Sequence, residues 1–394
     1  MHMNILMILE NSFPPDERVE NEINILTSGG YNIFLACTTS QNKFQIEEHQ
    51  NLTIFRFPIS KFIYKSSALA LLVPFYFWFW NKNLLILFNK YRFDAIHLHD
   101  LPLIKVAFKF SKKYNIKLVA DYHENRPEIM KMYSHINDFP GKYLISIKKW
   151  QQYQIKYTPK ADRLILVTEE AKDYYASNYY LDPQKIITLP NYVLLNRIRK
   201  YETDDNFSLF IKNKFTVVYF GDTGLRRGTQ SIINAADILQ NNSNIHFLII
   251  GKSKEQNQLE WEIKNRSLKN ITLTGWIPVS EAIKYIHVSK VGLCPFLRNI
   301  HHDTTYANKM FQYMALGKPV IVSNCTSQSN FVKKESSGLI FEADNYKELS
   351  DCIIKLTNKQ LYEELSRNAL NCIEHKYNWE KSGKNLIDLY QNII

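Results

Sequence analysis

Residues 303–324, DTTYANKMFQYMALGKPVIVSN, constrain the fold of this chain more than any other stretch. They predict a short helix, a tight turn and a buried strand in immediate succession. Gly317 follows the helical residues, where a left-handed residue commonly ends a helix, and Pro319 prevents the helix from continuing. The β-branched run 320–322 is typical of a strand buried in a parallel sheet. The segment therefore indicates an α/β fold.

The predicted helix has a polar face and an apolar face. Asn308, Lys309 and Gln312 lie three or four residues apart and so share the polar face. We expect Thr304 or Thr305 to cap the helix by accepting a hydrogen bond from a free N–H of its first turn. Free N–H groups beside a lysine make a physically sensible anion site. The apolar side packs the helix down through Met310, Phe311 and Met314.

The run KMFQYMALGKPVI, residues 309–321, resembles the donor-binding segment of the family 4 retaining glycosyltransferases, also called group 1. In that family a glutamate of this helix holds the ribose hydroxyls of a nucleotide sugar, and an acidic residue eight positions earlier often touches the sugar. Gln312 and Thr304 stand at these positions here. Glutamine lacks the charge-assisted strength of a carboxylate. The resemblance implies a donor site that includes Thr304, Thr305, Asn308 and Gln312.

The start of the chain predicts a doubly wound sheet. Residues 3–9 read as a buried strand, 17–28 as a helix and 31–37 as the next strand. Such sheets bind ligands beyond the carboxyl ends of their strands, so the loop 10–17, which contains Asn11, is a candidate acceptor loop. This loop lacks a glycine-rich phosphate turn, and we therefore do not expect the nucleotide in this half.

Two later strands end in histidine and carboxylate residues. They read DAIHLHD at 94–100 and KLVADYHE at 117–124. A single histidine is most often structural, but two such strand ends in one sheet favour a functional site. Both resemble family 4 segments, HxHD and DxHE, and the histidine matched by His123 lies near the reacting sugar in that family. The resemblance implies a catalytic role for His123 and acceptor-side positions for His99, Asp100 and Glu124.

A second strand–helix series begins at residue 215 and continues directly into GDTGLRRG, residues 221–228. In the family the basic residue before the second glycine contacts the diphosphate, and Arg227 matches it. Asp222 occupies a position that is often basic, for which Arg226 could compensate. Cations at a helix start oppose the helix dipole, and a bound anion would relieve that conflict. We predict Arg227 and Lys309 as catalytic cations and Arg226 as a donor-binding residue.

Three further strands, 247–251, 271–276 and 291–295, complete the predicted second sheet. The family's loop that matches Gly275, Trp276 and Ile277 borders the nucleobase, which places these residues in the donor site. A core position would suit Trp276 equally well.

With 394 residues the chain is too long for one ordinary core. We predict a GT-B fold, in which two doubly wound Rossmann-like α/β domains face a central cleft. The acceptor-binding domain spans 1–195, a polar linker 196–213 and the donor-binding domain 214–372. A C-terminal helix at 373–394 crosses back to the first domain.

The net charge of +11 allows two interpretations. It reflects either compositional bias or anionic partners, which here are nucleotide phosphates and an acidic membrane surface. Nucleic acid is not expected, because no dense basic tract or RNA-binding signature occurs. The five cysteines are far apart and lack metal-ligand spacing, so we expect neither disulfides nor zinc. A reducing cytoplasm fits this usage, and no secretory signal is evident.

Residues 68–80, ALALLVPFYFWFW, carry no charge but are too short to span a bilayer. They form either a helix packed against the sheet or an interfacial helix at a membrane. Flanking lysines favour contact with the inner face of the cell membrane; these are Lys61, Lys65, Lys82 and Lys90.

The resemblance implies a retaining hexosyltransferase that uses a nucleotide sugar, a UDP- or GDP-sugar, and a glycan or lipid-linked acceptor. Bacterial surface polysaccharide or glycoconjugate assembly would be its setting. No DxD triplet occurs, so we expect neither metal nor other cofactor. Two alternatives stay open: a non-catalytic glycosyltransferase-like binding subunit and a nucleotide-sugar epimerase.

Overall fold

The computed structural model describes residues 3–139, 141–200, 211 and 213–393. They form two compact units: one from the described residues of Met1–Pro190 and Ser382–Ile394, the other from those of Asn191–Lys381. Each unit has its own sheet and core. The domain boundaries proposed from the sequence stay predictions. Much of the predicted linker, 201–210 and 212, lies outside the described residues.

The first unit is built on a sheet of eight described strands in the order β3-β4-β2-β1-β5-β6-β7-β8. All pair in parallel except the edge hairpin β3–β4, which the sequence did not indicate. The strand order reverses between β1 and β5, which makes their carboxyl ends the switch point of this sheet. The strands are β1 (Asn4–Ser12), β2 (Asn32–Thr39), β3 (Gln45–His49), β4 (Leu52–Pro58), β5 (Ala95–His99), β6 (Lys117–Tyr122), β7 (Arg163–Leu166) and β8 (Ile186–Thr188).

Helices flank this sheet and bury their apolar faces against it. The first of them starts where Asp16 accepts a hydrogen bond from the backbone N–H of Val19. The helices are α1 (Glu17–Ser28), α2 (Lys61–Ser66), α3 (Phe75–Lys90), α4 (Ile104–Tyr114), α5 (Arg126–Met130), α6 (Ser134–Asn137), α7 (Gly141–Leu144), α8 (Ile147–Tyr157), α9 (Glu169–Tyr179) and α20 (Lys384–Gln391).

The last helix, α20, belongs to the first unit although the chain forms the second unit before reaching it. It packs on α1. The hydroxyl of Tyr390 lies 2.8 Å from Nδ1 of the buried His97 in strand β5. The end of the chain therefore contacts a buried residue in a central strand of the first sheet.

The second unit contains a parallel sheet of six described strands in the order β11-β10-β9-β12-β13-β14. Its switch point lies between β9 and β12. The strands are β9 (Phe215–Phe220), β10 (Ile245–Ile250), β11 (Ile271–Gly275), β12 (Val291–Cys294), β13 (Val320–Ser323) and β14 (Gly338–Phe341). The helices are α10 (Leu195–Arg199), α11 (Thr229–Ile238), α12 (Gln256–Asn265), α13 (Val279–Val288), α14 (Ile300–Asp303), α15 (Asn308–Ala315), α16 (Thr326–Glu335), α17 (Tyr346–Leu356), α18 (Lys359–His375) and α19 (Trp379–Ser382).

The organising segment 303–324 forms helix, turn and strand as predicted, with Gly317 left-handed at φ 68°. The predicted cap is wrong. Helix α15 starts after Ala307 without a side-chain cap, and the hydroxyls of Thr304 and Thr305 instead donate backwards to carbonyl oxygens of α14. A short helix before these threonines offers acceptors that sequence periodicity did not reveal.

Residues 68–80 are divided between the core and the surface. Tyr76 and Trp80 are buried, whereas Trp78 is 65% exposed and Phe75 and Leu72 are also exposed. The segment is not one helix, because α3 begins only after Pro74. Among the described residues no helix is both long and apolar enough to cross a membrane.

Candidate functional site

The switch point of the second sheet brings the loops after β9 and β12 together. Gly228, left-handed at φ 78°, closes the loop 221–228, and a Cβ on it would lie 1.7 Å from the carbonyl oxygen of Pro295 after β12. A similar contact joins the next strand, because a Cβ on Gly251 would lie 1.8 Å from the carbonyl oxygen of Gly221. Only glycine allows these approaches. They fix the backbone at the position where doubly wound sheets bind ligands.

Lys309, in the first turn of α15, reaches into this switch point. Its Nζ lies 3.6 Å from the ring centroid of Tyr219 and 5.8 Å from that of Phe296. A Cβ on Gly221 would lie 3.1 Å from the same nitrogen. Burial lowers the pKa of Lys309 to about 7, and Arg227 acts in the same direction. The ammonium has neither a hydrogen-bond acceptor nor a carboxylate partner among the described residues, so an anion would complete its surroundings.

Arg226 and Arg227 form a short 3-10 helix with Leu225 in the same loop. Arg226 donates to Oδ2 of Asp222 at 2.6 Å, whereas Nε of Arg227 lies 3.7 Å from that oxygen. The Arg227 guanidinium stacks over Phe296, 5.0 Å from the ring centroid. Asp222 therefore mainly neutralises Arg226, and Arg227 shares the aromatic surface beside Lys309.

The polar face of α15 is arranged as the sequence indicates. Asn308 is exposed and Gln312 is partly exposed, while the opposite face is buried. The Gln312 amide makes no hydrogen bond to any described residue, which leaves it available to a ligand. Thr304 and Thr305 are buried with their hydroxyl protons directed to α14. Their hydroxyl oxygens can still accept a hydrogen bond from a ligand, but their hydroxyl protons are already donated to carbonyl oxygens of α14.

Gly275 ends β11, and Trp276 and Ile277 follow it. This strand is two strands from β9 in the sheet. Gly275 is left-handed at φ 70° and its carbonyl accepts a hydrogen bond from the N–H of Gly251 at 2.9 Å. The Trp276 side chain is 74% exposed, so the core interpretation of this residue is wrong. Its open ring surface is consistent with the stacking of a base.

Two histidines that the sequence analysis missed lie beside this site. His302 stacks on Phe296 with ring centroids 4.4 Å apart, and its Nδ1 contacts the carbonyl of Leu297 at 2.6 Å. Burial lowers the pKa of His301 to about 3 and that of His302 to about 4, with Arg227 contributing to both shifts. Both imidazoles are therefore neutral. The adjacent pair HH in the sequence was the available signal.

At the switch point of the first sheet, carboxylates hold His123 in its charged form. Its Nε2 lies 3.1 Å from Oδ2 of Asp121, and its Nδ1 lies 3.6 Å from Oδ2 of Asp100. Burial alone would lower the pKa of His123, but Asp100 and Asp121 outweigh it and raise the pKa to about 9. An imidazolium with both protons directed at carboxylates can attract electron-rich groups but cannot accept a proton.

Asp121 contacts the buried side chains that surround His123. Arg18 of α1 donates to both of its oxygens, at 2.7 and 2.8 Å. Burial would raise the pKa of Asp121, but Arg18 and His123 hold it well below its usual range. His99 is buried, 3.3 Å from His123 and 3.5 Å from Asp121, so it supports this network from the interior. Arg18 was not among the residues predicted from the sequence; its place on the inward face of α1 was the available signal.

The outer part of this switch point combines carboxylates with Arg126. Arg126 lies 3.7 Å from Glu124 and 3.9 Å from Glu10. Burial and the neighbouring Asp100 raise the pKa of Glu124 to about 7. Asn11 is exposed at the end of β1. These side chains would offer both donors and acceptors to hydroxyl groups of a sugar.

Four buried side chains of this network have ligand atoms close enough to hold a metal ion, namely Glu22, His97, His99 and Asp121. Arg18 already pairs with both carboxylates, at 3.0 Å from Glu22 and 2.7 Å from Asp121. A guanidinium between these carboxylates supplies the positive charge that a metal would bring. We therefore interpret the cluster as a buried ion-pair network.

Comparison with known proteins decides the family. A model described as "Glycosyltransferase Family 4" matches residues 18–197, and one described as "Glycosyl transferases group 1" matches residues 200–372. The chain belongs to the family 4 glycosyltransferases. This confirms the resemblance noted in the sequence and the predicted GT-B fold class.

Curated relatives of this family 4 glycosyltransferase are distant in sequence. An Escherichia coli protein, "UDP-Gal:alpha-D-GlcNAc-diphosphoundecaprenol alpha-1,3-galactosyltransferase", is 24% identical over 59% of this chain and 60% of its own length. The Staphylococcus aureus "Capsular polysaccharide biosynthesis glycosyltransferase CapM" is 22% identical over 77% of this chain and 87% of its own.

Solved structures share the fold over the whole chain. Sucrose-phosphate synthase from Thermosynechococcus elongatus superposes with a TM-score of 0.75 at 15% identity, covering 100% of this chain and 99% of that one. HepE of Anabaena, solved in complex with UDP-glucose, gives a TM-score of 0.71 at 13% identity, covering 99% of this chain and 100% of that one. At such identities the likeness establishes the fold alone.

Proposed function

We propose that this family 4 glycosyltransferase transfers a hexose from a UDP- or GDP-sugar to a glycan or lipid-linked acceptor, with retention at the anomeric carbon. Its setting would be the assembly of bacterial surface polysaccharide or glycoconjugate. The observation that carries the proposal is the pair Lys309 and Arg227 at the switch point of the second sheet. The Escherichia coli relative and HepE are named with UDP-sugars, which favours UDP.

The proposed chemistry asks for charge stabilisation more than for proton transfer by side chains. The acceptor hydroxyl attacks the anomeric carbon from the face that the nucleoside diphosphate leaves, and the departing diphosphate takes its proton. Negative charge then grows on the diphosphate. Lys309 and Arg227 would stabilise it, because both cations are already in place when that charge develops. On this account no metal ion is required, since the two cations supply the charge.

The first unit would supply the acceptor side. The charged His123 cannot act as a general base. Its Nδ1 lies 3.6 Å from Asp100, too far for a hydrogen bond, so this N–H can still donate to a sugar oxygen. This supports a reaction in which the diphosphate, not a side chain, receives the acceptor's proton. Asn11, near the end of β1, would bind acceptor hydroxyls.

A non-catalytic binding subunit is the second candidate. It is favoured by Gln312 and Thr304, which stand where the family usually has two carboxylates. The Thr304 hydroxyl proton is bonded to Ile300 at 2.7 Å, so this side chain offers a sugar only its oxygen. Such a protein would bind a nucleotide sugar without turning it over.

Donor binding and turnover separate these candidates. Thermal shift with UDP-, GDP- and ADP-sugars identifies the donor, and nuclear magnetic resonance of the product with a lipid-diphosphate sugar acceptor reports the anomeric configuration. The proposal expects donor binding that Arg227→Ala weakens and Arg266→Ala, an arginine paired with Glu262 on α12, does not. An inverted product would refute retention. Binding without hydrolysis or transfer for any acceptor tried would favour the binding subunit.

A further inference from the structure

A groove of about 900 Å³ opens on the first unit between α3, α4 and α8. Its floor is rigid. Phe77 stacks on Tyr153 with ring centroids 6.3 Å apart and an interplanar angle of 13°. The Tyr153 hydroxyl donates to the carbonyl of Pro102 at 2.9 Å and accepts from the N–H of Lys105 at 3.1 Å. The groove is therefore a built feature of the fold.

Lysines surround this groove, and the described residues that line it include no aspartate or glutamate. Helices α3, α4 and α8 together contain nine lysines and no aspartate or glutamate. None of the six lysines at the groove forms an ion pair with a carboxylate among the described residues. All six are exposed: Lys105, Lys109, Lys112, Lys113, Lys156 and Lys160.

The walls between these lysines are aromatic. Nζ of Lys160 lies 4.9 Å from the ring centroid of Phe108, and Nζ of Lys105 lies 5.6 Å from that of Phe77. Lysine stems can lie along apolar surface in this way while their charges stay at the rim. Trp78, at the same groove, is 65% exposed. An occupant that suits this surface has an apolar body and an anionic head.

We propose that this groove docks the protein onto a bilayer of anionic phospholipid. Acyl chains would contact Trp78 and Phe77, and lipid phosphates would contact the lysines of α4 and α8. The charge complementarity points to a lipid surface because the six lysines lie on α4, on α8 and on the 3-10 turn Thr158–Lys160 that follows α8. A continuous layer of head groups can meet all of them. This docking requires neither a bound donor, a bound acceptor nor catalysis.

Vesicle co-sedimentation of the full chain tests this docking without any assay of activity. The wild type should bind phosphatidylcholine vesicles that contain phosphatidylglycerol, and should not bind pure phosphatidylcholine. Binding should weaken between about 0.1 M and 1 M salt, since the screening length falls from roughly 10 Å to 3 Å. No binding to the anionic vesicles at low salt would overturn the proposal.

Matched variants locate the contact. The pairs Lys112/Lys113 and Lys333/Lys334 each lie in the last turn of a helix, in α4 and α16 respectively. Lys112→Glu with Lys113→Glu should weaken binding at least about 30-fold, from about 1 kcal/mol for each lysine near an anionic surface. Lys333→Glu with Lys334→Glu should change it less than about threefold. Equal loss in both double variants would refute the groove and indicate general charge attraction.

The apolar contact has its own control. Trp78 is 65% exposed and Trp261 of α12 is 64% exposed. Trp78→Ala should weaken vesicle binding several-fold, and Trp261→Ala should leave it unchanged; the opposite pattern would overturn the proposal. Binding only to vesicles that contain a polyprenyl diphosphate would also overturn the proposal, because the groove would then hold the lipid tail of an acceptor. Circular dichroism of each variant confirms that it is folded.

Discussion

Donor binding by this protein should depend on pH through Lys309. Burial lowers the pKa of the free lysine to about 7, so at neutral pH only about half of the molecules carry the charge. A bound diphosphate would favour the charged form and return the pKa toward its ordinary value near 10.4. Binding should therefore take up a proton, and affinity should fall as pH rises above 7.

The magnitude follows from linkage between binding and protonation. Between pH 6.5 and 8.5 the fraction of free protein with a charged lysine falls about 25-fold, so the Kd should rise by about 25-fold, or ~1.9 kcal/mol. UDP-glucose is the suitable ligand, because its diphosphate lacks the terminal phosphate group whose second pKa near 6 would add its own slope. Isothermal titration calorimetry in two buffers of different ionisation enthalpy measures both the Kd and the proton uptake.

Two variants separate Lys309 from other titrating groups. Lys309→Arg keeps a charge at all these pH values and should flatten the dependence. Lys318, just beyond α15, also has a pKa lowered by burial, to about 8, but lies outside the proposed site. Lys318→Met should keep the full 25-fold change. A flat profile in the wild type, or an unchanged slope in Lys309→Arg, would refute the reasoning.

Four further outcomes are expected. Arg227→Ala should lower kcat by about 30- to 900-fold, from ~2–4 kcal/mol of lost charge stabilisation; a loss below about threefold in steady-state kinetics would contradict its role. Gln312→Glu should tighten donor binding, about tenfold for each 1.4 kcal/mol gained from charge-assisted bonds, as titration will show. Activity should survive EDTA, and loss that Mg²⁺ or Mn²⁺ restores would overturn the metal-free mechanism. Gly251→Ala should lower the free energy of unfolding by more than about 3 kcal/mol, because its Cβ would meet the backbone of Gly221. Gly275→Ala has open space around its Cβ and should cost only about 1 kcal/mol, from its left-handed φ. Equal shifts of the two variants in thermal unfolding would contradict the contact.

Local patterns predicted the elements of this fold well. The segment 303–324 contains its own helix stop and a β-branched strand, and the alternation of strands and helices predicts two doubly wound sheets. Because ligand sites in such sheets follow from strand order, the sequence also indicated the strand ends that carry His123 and Arg227. Those features depend on neighbours in the chain or on a rule of topology.

Features made by distant residues were not predictable in this way. Arg18 and Asp121 are 103 residues apart and meet only in the folded unit. The lysine groove lies between three helices, and hydrophobic periodicity describes each helix separately. Membrane contact was therefore predicted for the lysines that flank 68–80. The misassigned threonine cap has the same origin, because a preceding helix competes for the hydroxyl protons.

The position of α20 has a consequence for how the chain is made. The first unit needs residues 382–393 to complete the contact between Tyr390 and His97, yet residues 191–381 are synthesised in between. At a translation rate of roughly 5–20 residues per second, this leaves about 10–40 seconds in which the nascent first unit lacks its last helix. During that interval the side of α1 that packs on α20 has no partner, and a chaperone that covers it would compete with the chain's own terminus.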